Sequence, residues 1–278
     1  MILDLSLLPL WYQYSVVFVF GLIIGSFLNV VIYRLHTGRS LNGQSHCMSC
    51  GKILHWYELI PLVSYLVQSG RCRSCSSYVP IRYLWCELLT ASLFVIIYQA
   101  FSDPIIVVLS LVLVAVLVIT FFYDYYHLII PNLMVTMTTV LVVLILLYNF
   151  WQNGEADWLS HLLSGVGAFV FFGGLWVVSK GRWIGLGDAK LAFPLATLLG
   201  PSGAFTFVVG SFWVGSIISL GIMGALYLYK RGQPHLPIRQ IHFTIKSEVP
   251  FAPFIIISFI IVYAFSFDVL EALDWFLL

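Results

Sequence analysis

Apolar runs of roughly twenty residues recur along this chain, near 11–33, 83–101, 105–123, 131–150, 159–179, 203–229 and 250–270, with a shorter one near 185–200. About twenty consecutive apolar residues are what an α-helix needs to cross a hydrocarbon core about 30 Å thick. Lipid offers no hydrogen bonds, so each run must satisfy its own backbone groups, and a helix does so. Charged residues make up only 9% of the chain, against about 25% in a soluble domain. The expected fold class is therefore an all-α polytopic membrane protein, and no nucleic acid is expected among its partners.

The distribution of charge sets the number of crossings. All 13 Lys and Arg residues fall in four groups: Arg34 to Arg82; Lys180, Arg182 and Lys190; Lys230 and Arg231; Arg239 and Lys246. If every long run crosses once and 185–200 also crosses, all four groups share one side. The opposite loops then hold Asp4, Asp103, Glu155, Asp157, Asp268, Glu271 and Asp274 without a basic residue. Basic loops mark the cytoplasmic side, so the expectation is about eight transmembrane helices with both termini outside. The first ten residues carry no Lys or Arg and lack the basic start of a cleavable signal. The first apolar run is accordingly expected to remain as an anchor.

Between the first two runs lies a cytoplasmic loop, about 35–82, containing Cys47-Met-Ser-Cys50 and Cys72-Arg-Ser-Cys75. Two C-x2-C pairs suit a tetrahedral zinc ion with no open coordination position, hence a structural metal. Disulfides are the alternative, and a reducing cytoplasm disfavours them. Lys52, Arg71, Arg73 and Arg82 lie where they could offset the charge of four thiolates. Cys86 reads as an ordinary buried thiol. Glu87 beside it serves either the start of a helix or a function, and Glu58 is equally open.

Gly21 and Gly25 form a small-xxx-small pair, read as close helix packing, while Asn29 needs a hydrogen-bond partner if buried. The fifth run, with Gly165, Gly167, Gly173 and Gly174, reads as a close-packed interior helix. In the loop before the last run, His235 and His242 lack ligand spacing, and Glu248 has no evident role.

Two acids stand out. Asp124 ends one apolar run in Tyr123-Asp124-Tyr125, and Asp188 opens another in Gly185-Leu186-Gly187-Asp188-Ala189-Lys190. An acid at membrane depth is costly and marks function by default. Both lie at the same depth on the same side. Two neighbouring carboxylates share a proton and titrate as a unit, which suits one to act as base and the other as acid in peptide hydrolysis. Lys190, two residues on, projects from roughly the opposite face of a helix and does not neutralise Asp188. His127 is expected to be solvated rather than catalytic.

Taken in order, Gly25-Ser-Phe-Leu-Asn-Val-Val-Ile-Tyr-Arg-Leu35, the two cysteine pairs, Trp56-Tyr57 through Ile60-Pro61, Asp124 with Pro131-Asn132, Gly185 to Leu191 and Pro250-Phe-Ala-Pro253 resemble the type IV prepilin peptidases, a group of GxGD membrane aspartic proteases. That resemblance implies removal of the leader from prepilin- or pseudopilin-like precursors at the cytoplasmic face of the inner membrane. Catalysis would fall to Asp124 and Asp188. It also implies methylation of the new N-terminus with S-adenosylmethionine, with Glu58 the acid chosen for that step. Zinc would sit on Cys47, Cys50, Cys72 and Cys75. The expected organisation is a first transmembrane helix (1–34), a zinc-binding loop domain (35–82) and a seven-helix peptidase domain (83–278). His36 and Ala252 depart from the family's usual proline and glycine, and both are expected to lie away from the aspartates. Presenilin or signal-peptide-peptidase-type proteases share the Tyr-Asp and Gly-x-Gly-Asp pattern but lack the four-cysteine loop. An ion-coupled transporter using the acids as a proton relay is the remote alternative, unsupported by any inverted repeat.

Overall fold

The computed structural model describes residues 8–38, 40, 42–154, 157–232 and 250–269. His235, His242 and Glu248 lie outside them. Among the described residues the fold is helical without strands, and six helices are long and apolar enough to cross a membrane. The chain is a multi-pass membrane protein. It divides into two units, Met1–Phe122 and Tyr123–Leu278, the division falling inside one continuous helix.

The first unit holds α1 (Leu10–Thr37), α2 (Val63–Val67), α3 (Arg82–Ala100) and most of α4 (Pro104–His127). Helices α1 and α3 touch backbone to backbone at the two expected glycines. A Cβ on Gly21 would stand 2.6 Å from Ala91 Cα, and one on Gly25 would stand 2.8 Å from Glu87 Cα. Asn29 satisfies its amide across the same seam, donating to the Tyr83 carbonyl at 3.0 Å. Helix α1 ends at Gly38, whose φ of 63° is the left-handed stop typical of a helix C-terminus. Arg34 then folds the following loop back by donating to the carbonyls of Ser40 and Asn42.

The second unit holds the last residues of α4, then α5 (Asn132–Asn153), α6 (Trp158–Ser179), α7 (Leu186–Gly232) and α8 (Ala252–Phe265). Helix α7 contains both the short run near 185–200 and the run near 203–229, broken at Gly200 (φ 73°, ψ −172°). Pro201 cannot donate to the Thr197 carbonyl, and His161 Nδ1 meets that carbonyl instead at 2.9 Å. Contacts along α6 show what the break does. Gly165 faces Phe193 and Thr197 in the first half, His161 faces Gly200, and Phe172 stacks on Phe212 in the second half. The first half is therefore antiparallel to α6 and the second parallel to it, so the chain folds back at Gly200. With these halves counted separately, there are eight apolar helical segments among the described residues.

Two expectations change. Helix α6 is not the interior helix: only Gly165, Ala168, Phe172 and Ser179 are buried, one face at helical spacing, and a Cβ on Gly167, Gly173 or Gly174 would meet nothing. The interior positions belong to the first half of α7, where Ala189, Leu191, Ala192, Leu195 and Ala196 are all buried, and to α8. Helix α8 also stops earlier than 270. Ser266 takes φ 49°, and beyond it the Thr206 hydroxyl donates to Asp268 Oδ1 at 2.9 Å and accepts the Val269 amide at 3.1 Å. Its 14 residues rise only about 21 Å. Such a short helix, buried on nearly every side, is surrounded by protein rather than lipid.

Candidate active site and metal centre

Asp124 sits in the last turn of α4, which ends where the Leu128 amide returns to the Asp124 carbonyl at 2.8 Å and Leu128 takes φ 55°. Pro131 then caps α5 with extended backbone (φ −65°, ψ 134°). Asp188 is the third residue of α7. Its Oδ2 accepts the Gly185 amide at 3.0 Å, an orphan donor at a helix start. The two carboxylates are only 5% and 6% exposed, and Asp124 is near enough to act electrostatically on Asp188. Among the described residues Asp188 Oδ1 is buried and has no hydrogen-bond partner.

Both glycines before Asp188 serve close approach rather than an unusual φ, since neither has a positive one. A Cβ on Gly185 would lie 3.3 Å from Asp188 Oδ2, where the amide now reaches the carboxylate. A Cβ on Gly187 would lie 3.1 Å from Ile130 Cβ, pushing apart the two segments that follow and precede the acids. Lys190 reaches away, as its spacing predicts, and donates to Asn132 Oδ1 at 3.3 Å. His127 is half-buried with its ring 4.8 Å from that of Tyr123.

One partner of the acids was misjudged from sequence. Ala252, expected to lie away from the aspartates, donates its amide to Asp124 Oδ2 at 3.3 Å and is fully buried. A signal was present. In Pro250-Phe-Ala-Pro253 the two prolines carry no N–H, so only Phe251 and Ala252 can donate, and helix starts leave their amides free.

The four cysteines converge. The Sγ atoms of Cys47, Cys50, Cys72 and Cys75 all lie within 4.8 Å of one another, and Cys47 Sγ is 3.8 Å from Cys75 Sγ. A tetrahedron with Zn–S distances of about 2.3 Å has edges of about 3.8 Å. No disulfide joins them. The two knuckles repeat one backbone pattern: Cys47 N–H donates to Lys52 and Gly51 N–H to Cys47, just as Cys72 N–H donates to Ser77 and Ser76 N–H to Cys72. The tight turn needs left-handed backbone after each second cysteine, φ 71° at Gly51 and 55° at Ser76. The donor set fits a metal ion held by four sulfurs, and no position is left for substrate.

The cations expected to offset the thiolates are mostly engaged elsewhere. Lys52 pairs with Glu58 at 3.7 Å, Arg73 lies 5.4 Å over the Tyr57 ring, and Arg82 lies 5.5 Å over that of Tyr83. Backbone does the work instead: the Cys50 and Ser49 amides pull the Cys47 thiol down to about 6, and the Ser77 hydroxyl lowers that of Cys75. Glu58 is buried, with its Oε2 accepting the His55 amide at 2.9 Å and its Oε1 facing Lys52. The His55 amide, then Lys52, holds this carboxyl below its ordinary range. Glu87, on α3, accepts the Leu62 amide at 2.8 Å.

Two buried acids at helix ends, in a multi-pass chain that also brings four cysteine sulfurs together, define the class: a polytopic membrane protein carrying a buried acid pair. Residues 19–101 match the Bacterial Peptidase A24 N-terminal domain and residues 111–220 the Type IV leader peptidase family. A prepilin leader peptidase/N-methyltransferase of Vibrio cholerae is 31% identical over 269 residues, covering 91% of this chain and 97% of that protein. One of Bacillus subtilis is 28% identical over 266 residues, covering 92% and 96%. One of Myxococcus xanthus is 37% identical over 184 residues, which span 66% of this chain and just over half (55%) of that protein. No solved structure matches the chain. The chain belongs to the type IV leader peptidase family.

Proposed function

We propose that this protein is a membrane aspartic endopeptidase that removes the leader from type IV prepilin- or pseudopilin-like precursors and methylates the N-terminus so exposed. The observation that carries the reading is the burial of Asp124 and Asp188 in one unit, each fixed by a backbone amide, with Asp188 Oδ1 unpartnered. The ionised carboxylate of the pair takes a proton from water, whose oxygen bonds to the scissile carbonyl carbon. The protonated carboxyl gives its proton to the carbonyl oxygen. As the C–N bond breaks, the leaving amine takes a proton and the pair returns to sharing one. Two carboxylates side by side hold one proton between them readily. The Gly185 and Ala252 amides fix the oxygens so that little reorganisation accompanies the reaction.

In this reading the peptidase domain is 83–278, the site faces the cytoplasm across the inner membrane, and both termini lie outside, as the segregation of every Lys and Arg supports. Cys47, Cys50, Cys72 and Cys75 hold a structural zinc ion that ties the two knuckles of the loop domain (35–82) together. S-adenosylmethionine, when bound, would supply an electrophilic methyl group to the substrate's new amine. Glu58, the acid chosen for this step from sequence, has its Oε2 on the His55 amide and its Oε1 facing Lys52. Purified protein incubated with a synthetic prepilin and S-adenosylmethionine tests the reading. Mass spectrometry should find the shortened chain carrying one added methyl group; an intact precursor would reject the peptidase, and a shortened but unmethylated product would reject the methyl transfer.

A further inference from the structure

We infer that a water molecule is held between α5 and the first half of α7, bridging the Thr138 hydroxyl to the Lys190 carbonyl that Pro194 leaves without its helical donor. Among the described residues two buried side-chain atoms have no hydrogen-bond partner, Asp188 Oδ1 and Thr138 Oγ1. The first belongs to the acid pair; the second does not. Thr136 and Thr139 give their hydroxyls to carbonyls one turn back, those of Asn132 at 3.0 Å and Val135 at 2.8 Å, the common outlet for a hydroxyl in a helix. Thr138 makes no such bond although it is wholly buried. A buried polar group takes its partner from protein or from ordered water.

The neighbouring helix has the complementary gap. Pro194 and Pro201 both lie inside α7 and carry no N–H, so each frees the carbonyl one turn before it. At Pro201 the freed Thr197 carbonyl is met by His161. At Pro194 the freed carbonyl is that of Lys190, and Pro194 is buried. In a membrane such a carbonyl is satisfied again by a Ser or Thr of a neighbouring helix or by ordered water.

Helix placement brings the two gaps together. Helix α5 packs on α7, and Met134, Thr138, Val142 and Ile145 form its buried face. At one end of the pair Asn132 meets Lys190, and Ile130 lies beside Gly187. At the other end Phe150 meets His161, which faces Gly200. The two helices therefore run side by side in the same direction. From Asn132, Thr138 lies about 9 Å along α5, and from Lys190, Pro194 lies about 6 Å along α7. Gly187, Lys190 and Pro194 share one helical face at i, i+3 and i+7.

A hydroxyl and a carbonyl are both neutral, which suits water rather than an ion. The water accepts from the Thr138 hydroxyl and donates to the Lys190 carbonyl, and two polar partners are enough to hold it. Lys190 and Asp188 lie on roughly opposite faces, so this is not the water that the acids would activate. It ties the turn weakened by Pro194, on the helix that carries Asp188, to α5.

Radiolytic footprinting of the full chain in detergent micelles tests the site. Brief X-ray exposure turns a held water into a hydroxyl radical where it sits, and the radical oxidises a nearby sulfur. Met134 is only 3% exposed and lies one turn before Thr138, whose side chain leans that way. Mass spectrometry should find Met134 sulfoxide in wild type in spite of this burial. Thr138→Val keeps the shape and removes the hydroxyl, while Pro194→Ala returns an N–H to the Lys190 carbonyl. Each should lower Met134 labelling at least about five-fold, as expected when a held water loses one of its two partners. Thr138→Ser keeps the hydroxyl and should keep the labelling. Thermal unfolding run in parallel reports which variants are folded, and if one of the first two is not, the other decides. An unlabelled Met134 in wild type, or undiminished labelling in a folded Thr138→Val or Pro194→Ala, would overturn the inference.

Discussion

The amide of Ala252, at the start of α8, donates to the Asp124 carboxylate in the last turn of α4 at 3.3 Å. Residues 128 positions apart are joined at a point where neither has room to move, since Ala252 is fully buried. Ala252→Gly keeps the amide and removes only a methyl group, so cleavage should stay within about three-fold of wild type. Ala252→Leu overpacks the site, at a typical cost of about 1–3 kcal/mol, and displaces the donor. Its kcat should fall at least about ten-fold with KM little altered. Equal kinetics for the two variants would show that this contact does not position the acid.

The dyad itself makes the sharpest test. Asp124→Asn and Asp188→Asn are nearly isosteric, so insertion and substrate binding should survive while cleavage is lost. Asn can neither take a proton from water nor share one. Because the pair acts as a unit, the double variant should be hardly worse than either single one. Single-turnover assays read this directly, and substantial cleavage by either Asn variant would sink the two-aspartate mechanism. Lys190→Ala is the contrast: its side chain reaches Asn132 rather than the acids, and cleavage should persist.

Glycine at 187 is explained by Ile130. Gly187→Ala should lower kcat, because the new Cβ presses on the Ile130 side chain at three atoms, 3.1–3.4 Å away. Adding Ile130→Ala removes two of those atoms and should restore part of the activity. Failure of the second change to help would mean that the glycine matters for another reason.

Metal analysis of protein purified without metal-affinity steps should find one zinc per chain. Changing any one of Cys47, Cys50, Cys72 or Cys75 to Ser should lower zinc content and loosen the loop, because binding a structural zinc is coupled to folding. Limited proteolysis across 40–80 would report the loosening. Cleavage of prepilin should survive at least in part, since Asp124 and Asp188 belong to the other unit. A metal-free protein with two intact disulfides would refute the assignment.

Orientation can be read with thiol reagents. Single cysteines at Ser102 and Asn153, in a background without reactive thiols, should label from outside in intact cells. Labelling only after lysis would invert the map and place the acids on the wrong side.

Sequence by itself determined the class of this protein and pointed to the residues proposed to do its work. Apolar runs near twenty residues admit only helices in lipid, and the one-sided distribution of Lys and Arg demanded that 185–200 and 203–229 be two segments. The fold-back at Gly200 agrees. Acids and cysteines were legible because each is expensive where it stands, so its presence needs a chemical reason. Tertiary structure decided what these residues rest on. The Gly185 amide carries no residue-specific signature, and the prolines at 250 and 253 only narrow the donor to Phe251 or Ala252, so three-dimensional placement says which amide meets a carboxylate. Likewise the glycines of α6 looked like interior packing, yet only Gly165 meets a neighbour; in lipid an apolar helix reads the same whether it faces acyl chains or protein.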